Sequence, residues 1–155
     1  MTPALNKALP ELEAQATGGV KFTHQAFKGQ AIVLYFYPKD NTPGCTTEAR
    51  EFSALKPEFA ALNCEILGMS PDSVKAHQNF TAKQDLSVNL ASDPDHGVLE
   101  QFGAWRLKKN YGKEYMGVAR STVLIDPQGV IRHVWPTVKA AGHAAEVLDT
   151  LRKLR

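Results

Sequence analysis

Seven residues, Ala31 to Tyr37, run without a charged side chain into Pro38. A continuous run of β-formers has no polar face to offer water, so it predicts a central strand covered on both sides. Pro38 has no N–H for a ladder and ends the run. A turn-rich stretch follows, Lys39-Asp40-Asn41-Thr42-Pro43-Gly44, and then Cys45. Pro43 suits the first turn of a helix, where a missing N–H does no harm. Cys45 therefore falls just inside a helix start and just past the C-terminal end of a central strand. In open α/β sheets that is where sites lie.

The rest of the chain alternates. Val20 to Phe27 reads as a weak strand or hairpin arm closed by Lys28-Gly29-Gln30. Thr46 to Leu62 carries Phe52, Leu55, Phe59 and Leu62 at helical spacing, with Pro57 expected to kink or split the helix. Cys64 to Met69 is a second strand, and Ser73 to Asp85 a helix with Val74, His77 and Phe80 on one face. A short strand ends at Leu90, and a short helix spans His96 to Phe102. Ser121 to Ile125 and Val130 to Trp135 flank Asp126-Pro127-Gln128-Gly129, a hairpin signal. Ala141 to Leu154 is an amphipathic terminal helix. This order predicts an α/β protein with a mixed central sheet flanked by helices. It contains the thioredoxin-like order, with extra elements before the first central strand and before the closing hairpin. A length of 155 residues suits a single domain over 1–155.

Hydrophobic content of 43%, charged content of 22% and a net charge of +2 are ordinary for a globular protein. They argue against a nucleic-acid partner, and no apolar stretch approaches membrane-spanning length. Met1 to Pro10 lacks a signal-peptide core. Two cysteines in a chain this long make no disulfide scaffold, so a reduced, cytoplasmic protein is expected.

A thiol at a helix start sits among unpaired backbone N–H groups at the positive end of the helix dipole, a place that favours thiolate over thiol. Thr42, three residues ahead, can set a hydroxyl beside the sulfur or a bound oxygen. Pro38, Pro43 and Gly44 restrict or free the backbone around a small pocket. The residue types favour a nucleophile over a packing cysteine. A thioredoxin-type oxidoreductase would need a second cysteine three residues on, and Glu48 stands there. A cysteine phosphatase needs an arginine six positions on, and Glu51 stands there. His24, His77, His96, His133 and His143 show no metal-ligand spacing, so neither metal nor cofactor is expected.

Pro38-x-x-x-Thr42-x-x-Cys45 resembles the active-site signature of peroxiredoxins. The string Pro43-Gly44-Cys45-Thr46-Thr47-Glu48-Ala49 is similar to that of the bacterioferritin-comigratory (PrxQ) subfamily. The likeness continues through Leu67 to Ser73, Lys83 to Leu86, Ser92-Asp93, Trp105, Tyr111-Gly112 and Gly117 to Thr122, and covers roughly residues 5 to 150. It implies a thioredoxin-like fold with a peroxiredoxin-type N-terminal extension and insertion, and a thiol peroxidase acting on hydrogen peroxide and organic hydroperoxides. Cys45 would be the peroxidatic residue, passing through a sulfenic acid. Thr42 would hydrogen-bond the peroxide, Pro38 would shield the pocket, and Arg120 would stabilise thiolate and developing charge. Glu48 could brace that guanidinium, or be an exposed first-turn acid favoured by the helix dipole. Trp105 and Tyr111 could line the pocket mouth or belong to the core.

The chain departs from the family at the resolving cysteine. The two usual positions hold Arg50 and Thr81. Cys64 is the only other thiol, and a helix of about 15 residues would put roughly 22 Å between it and Cys45. Disulfide partners need Cα atoms within about 7 Å. A one-cysteine mechanism is expected, with thioredoxin, glutaredoxin or a small thiol as reductant, in a monomer or weak homodimer. The competing reading is a redox-sensing or partner-binding module that does not turn over.

Overall fold

A computed structural model describes residues 5–19, 21–23, 25 and 28–154. Its strands are β1 (Glu13–Ala16), β2 (Lys21–Thr23), β3 (Ala31–Phe36), β4 (Cys64–Ser70), β5 (Asn89–Ser92), β6 (Trp105–Asn110), β7 (Lys113–Val118), β8 (Ser121–Ile125) and β9 (Ile131–Trp135). Its helices are α1 (Pro43–Ala61), α2 (Val74–Gln84), α3 (Gly97–Gln101) and α4 (His143–Lys153). Of the expected Val20–Phe27 arm, Lys21–Thr23 forms a strand, and residues 20, 24, 26 and 27 lie outside the described residues. Among the described residues no helix is long and apolar enough to cross a membrane.

Seven strands form one sheet in the order β2-β1-β5-β4-β3-β8-β9. β3 runs parallel to β4 and β4 to β5, whereas β8 and β9 return antiparallel. β3 is buried along its whole length, as its apolar run requires. Its alternation assigns two cores. Ala31, Val33, Tyr35 and Tyr37 pack with Phe52, Phe59 and Ala49 of α1, Phe80 of α2 and Val147, Leu148 and Leu151 of α4. Ile32, Leu34 and Phe36 face the other side, with Val98 and Leu99 of α3 and Leu12 and Phe22 of the N-terminal segment.

Pro57 does not split α1, which runs unbroken from Pro43 to Ala61. A proline cannot donate to the carbonyl four residues back, here that of Ser53. Ser87, just past α2, supplies the missing donor: its hydroxyl reaches Ser53 O at 3.1 Å, and its N–H donates to Ser53 Oγ at 3.0 Å. Lys56 Nζ adds a bond to Ser87 O at 2.6 Å. The proline thus docks the helix onto its neighbour.

β6 and β7 form a separate two-stranded hairpin that the sequence reading did not mark. Its turn places Tyr111 at φ 52 and Gly112 at φ 76, the paired left-handed geometry of a two-residue hairpin loop.

Candidate active site

The turn after β3 delivers the N-terminus of α1 to the C-terminal edge of the sheet. Asn41 takes a left-handed φ of 63, and Thr42 is the extended N-cap, with Pro43 in the first turn. Thr42 gives the helix no side-chain cap. Its hydroxyl instead donates to Lys39 O at 2.8 Å, which leaves the oxygen as an acceptor at the mouth of the helix. Cys45 sits one position deeper than Gly44 and is only 1% exposed, packed in the core that holds Tyr35, Tyr37 and Phe52.

Arg120 joins the cysteine from the segment between β7 and β8. Its Nη2 donates to Cys45 Sγ at 3.2 Å and its Nη1 to Glu48 Oε1 at 2.6 Å. Cys45 and Glu48 are three residues apart on α1 and therefore share a face, which is why one guanidinium reaches both. Two backbone bonds hold Arg120 in place: Val138 N–H donates to Arg120 O at 3.0 Å, and Ala119 N–H to Ala104 O at 2.7 Å. Gly44 makes the room, since a Cβ there would stand 3.0 Å from Arg120 Nη2.

Glu48 is fully buried, and its Oε2 has no hydrogen-bond partner. Burial pushes its carboxyl up to about 7, against the pull of Arg120 and with a contribution from Glu51. Burial also works against the Arg120 charge, but Glu48 and Cys45 outweigh it and hold the guanidinium above its ordinary value. The Tyr35 phenol is raised well above its usual range, first by burial and then by the negative groups Glu48 and Cys45. The result is a buried thiol and a buried carboxyl that share one guanidinium.

Of the residues expected at the site, Cys45, Thr42, Gly44, Glu48 and Arg120 come together. Pro43 occupies the exposed side of the first helical turn, and Pro38 is half-buried just after β3. Tyr111 is 97% exposed at the hairpin tip and so belongs to no core. Trp105 packs at the edge of the core around Leu34 and stacks on His96 with ring centroids 3.7 Å apart.

The sequence reading missed a second polar cluster behind the turn. Tyr37 donates its hydroxyl to Asp40 Oδ1 at 2.6 Å, and His77 Nδ1 lies 2.7 Å from Asp40 Oδ2. Asp40 N–H donates to Asp72 Oδ2 at 2.8 Å. Asp40, Asp72 and His77 each offer an atom within 4.8 Å of the others, a spacing open to a metal ion. Those atoms are, however, already engaged in hydrogen bonds with one another and with Tyr37, Ser70 and Ala91. Residues 37 apart in sequence carry no periodic signal for such a contact. His143, also buried, hydrogen-bonds Thr122 Oγ1 at 2.8 Å through Nε2, and burial holds its imidazole below the ordinary value.

Cys64 lies at the opposite end of the central strands. It pairs in register with Ala31 at the start of β3, whereas the turn to Cys45 leaves from the other end. Five strand steps separate Ala31 from Phe36, roughly 17 Å, well beyond the ~7 Å a disulfide allows between Cα atoms. Neither cysteine is in a disulfide. Arg50 is exposed, and the Thr81 hydroxyl is buried without a hydrogen-bond partner.

Residues 5–134 match the AhpC/TSA family. The chain is 46% identical over 154 residues to peroxiredoxin Bcp of Bacillus subtilis, covering 99% of this chain and 98% of that protein. A cysteine-to-serine mutant of Xanthomonas campestris peroxiredoxin Q superposes with a TM-score of 0.88 at 46% identity, over 93% of this chain and 92% of that one. A cysteine-to-serine mutant of Xylella fastidiosa PrxQ gives a TM-score of 0.92 at 39% identity, covering 97% of this chain and 96% of that one. With Cys45, Thr42 and Arg120 gathered at the head of α1, this chain belongs to the AhpC/TSA family as a peroxiredoxin of the Bcp/PrxQ branch.

Proposed function

We propose that this chain reduces hydrogen peroxide and organic hydroperoxides at Cys45, by a one-cysteine mechanism that draws on an external thiol. The observation that carries the reading is Arg120, which bonds Cys45 Sγ at 3.2 Å and is braced by Glu48 at 2.6 Å. A cation that cannot lose its proton stabilises both the thiolate and the charge that develops as the O–O bond stretches. The thiolate attacks the terminal peroxide oxygen and the O–O bond breaks. Cys45 becomes a sulfenic acid, and the departing oxygen takes a proton to leave as water or an alcohol. Thr42 Oγ1 accepts from the peroxide hydroxyl, and Pro38 with the turn keeps bulk water away.

One reductant thiol then displaces water from the sulfenic acid to give a mixed disulfide. A second releases Cys45 and carries off the reductant disulfide. Arg50 and Thr81 at the two usual resolving positions, and Cys64 at the far end of the central strands, support an external donor over an internal one. Thioredoxin, glutaredoxin and a small thiol each supply the required chemistry, in a reducing cytoplasm and with a monomer or weak homodimer as the working unit. A Xanthomonas relative is described by its alkyl peroxide reduction, which favours organic hydroperoxides among the substrates. Steady-state peroxide consumption with each thiol donor tests the reading. Continuous turnover that vanishes in Cys45→Ser is expected, and a single stoichiometric burst with every donor would favour a sensor.

A further inference from the structure

The turn that carries Pro38 and Thr42 is tied down by a side chain from another element. His77 on α2 is fully buried, and its Nε2 lies 2.8 Å from Ala91 O of β5. A carbonyl only accepts, so Nε2 carries a proton. Nδ1 faces Asp40 Oδ2 at 2.7 Å, and the other Asp40 oxygen takes the Tyr37 hydroxyl at 2.6 Å. The Asp40 backbone is fixed separately, by its N–H to Asp72 Oδ2 at 2.8 Å, and Asp72 Oδ2 is itself held by Ser70 Oγ at 2.7 Å. Asp40 thus has both carboxylate oxygens and its N–H occupied, and it stands two residues before the N-cap Thr42.

We propose that His77, acting through Asp40, is a positioning residue that keeps the 38–42 turn closed over Cys45. The inference rests on Cys45 being the peroxidatic residue. Tyr37 directly follows β3, Asp40 sits mid-turn and His77 joins them to α2 and β5. The ring is held at both nitrogens, so it can neither rotate nor retreat without breaking a buried hydrogen bond. A closed turn keeps Thr42 and the head of α1 in the geometry that Arg120 serves, with Cys45 only 1% exposed. Releasing the turn should therefore harm the reaction that needs geometry and help the reaction that needs only access.

The two reactions are separable on the full-length reduced protein. One is Cys45 oxidation by hydrogen peroxide, followed by stopped flow. The other is Cys45 alkylation by a bulky maleimide, read by peptide mass so that Cys64 does not contribute. In His77→Leu, oxidation is expected to slow about tenfold or more and alkylation to quicken by a similar factor, as loss of the ring's two buried hydrogen bonds implies. Tyr37→Phe removes one hydroxyl and keeps the ring, so it should fold whatever His77→Leu does; it should shift both rates the same two ways by a few-fold. His77→Gln, which keeps one donor toward Asp40, should recover part of both. Rates that fail to move in opposite directions in the folded variants would overturn the proposal. Absence of a Cys45-dependent peroxide reaction in the unmodified protein would instead sink the peroxidase reading on which it rests.

Discussion

Arg120 serves two partners on one helix face, and its loss would leave both without a cation. Arg120→Ala should slow peroxide reduction by about a hundred- to a thousand-fold, the scale seen when one oriented donor to a developing anion is removed. Stopped-flow oxidation of Cys45 is the check. Gly44→Ala probes the same contact from the other side. The new Cβ would meet Arg120 Nη2 at 3.0 Å, a flexible side-chain end that can yield. Helix propensity favours alanine by roughly 1 kcal/mol, so the melting temperature should hold or rise while oxidation slows. Glu48 adds a pH dependence. Its carboxyl, ordinarily near 4.5, stands near 7 when folded. Between those values the folded chain keeps a proton that the unfolded chain releases. Its contribution to stability is therefore complete below about pH 4.5 and is lost as pH rises through about 7. Glu48→Gln lacks that loss, so its Tm relative to the unmodified protein should improve between about pH 5 and about pH 8. Cys45 and Thr42 were legible because their types and spacing carry chemistry, whereas Arg120, 75 residues from Cys45, was reached only through the family resemblance. His77 and Asp40 were not legible, since a buried histidine reveals its partner only when the chain is folded.

The boundaries of the central elements follow from local rules. β3 is a continuous apolar run stopped by a proline, α1 opens on Pro43, and α2 is capped by Ser73 Oγ accepting from Ala76 N–H at 3.1 Å. Pro57 was expected to kink or split α1; the helix is not split, and the freed Ser53 carbonyl takes the Ser87 hydroxyl. Local propensity cannot foresee a donor 34 residues away. The bond predicts a coupling. Ser87→Ala should cost about 1 kcal/mol in a urea titration, and much less in a Pro57→Ala background, where residue 57 can donate to Ser53 O itself. A double-mutant cycle measures the difference, and strict additivity would contradict the assignment. The β6–β7 hairpin escaped for another reason. Its strands are mostly exposed, so burial imposed no alternation that a period-two reading could find, and only Tyr111-Gly112 signalled the turn.

At the scale of the molecule, the sheet register sets the distance between the two thiols. β3 and β4 run parallel, so the turn to Cys45 leaves at one end of the strands while Cys64 begins β4 at the other. Two thiols in one chain are thereby kept apart by the length of a strand, and Arg50 and Thr81 hold the places where a nearer thiol would stand. The rigid central sheet makes this separation hard to remove without unfolding, since β3 is buried on both faces. The decisive measurement is the intact mass and peptide map of the protein after one equivalent of hydrogen peroxide in the presence of a sulfenic-acid trap. The account predicts a single trapped adduct at Cys45 with Cys64 still reduced. A Cys45–Cys64 disulfide within one chain, with no adduct, would contradict it.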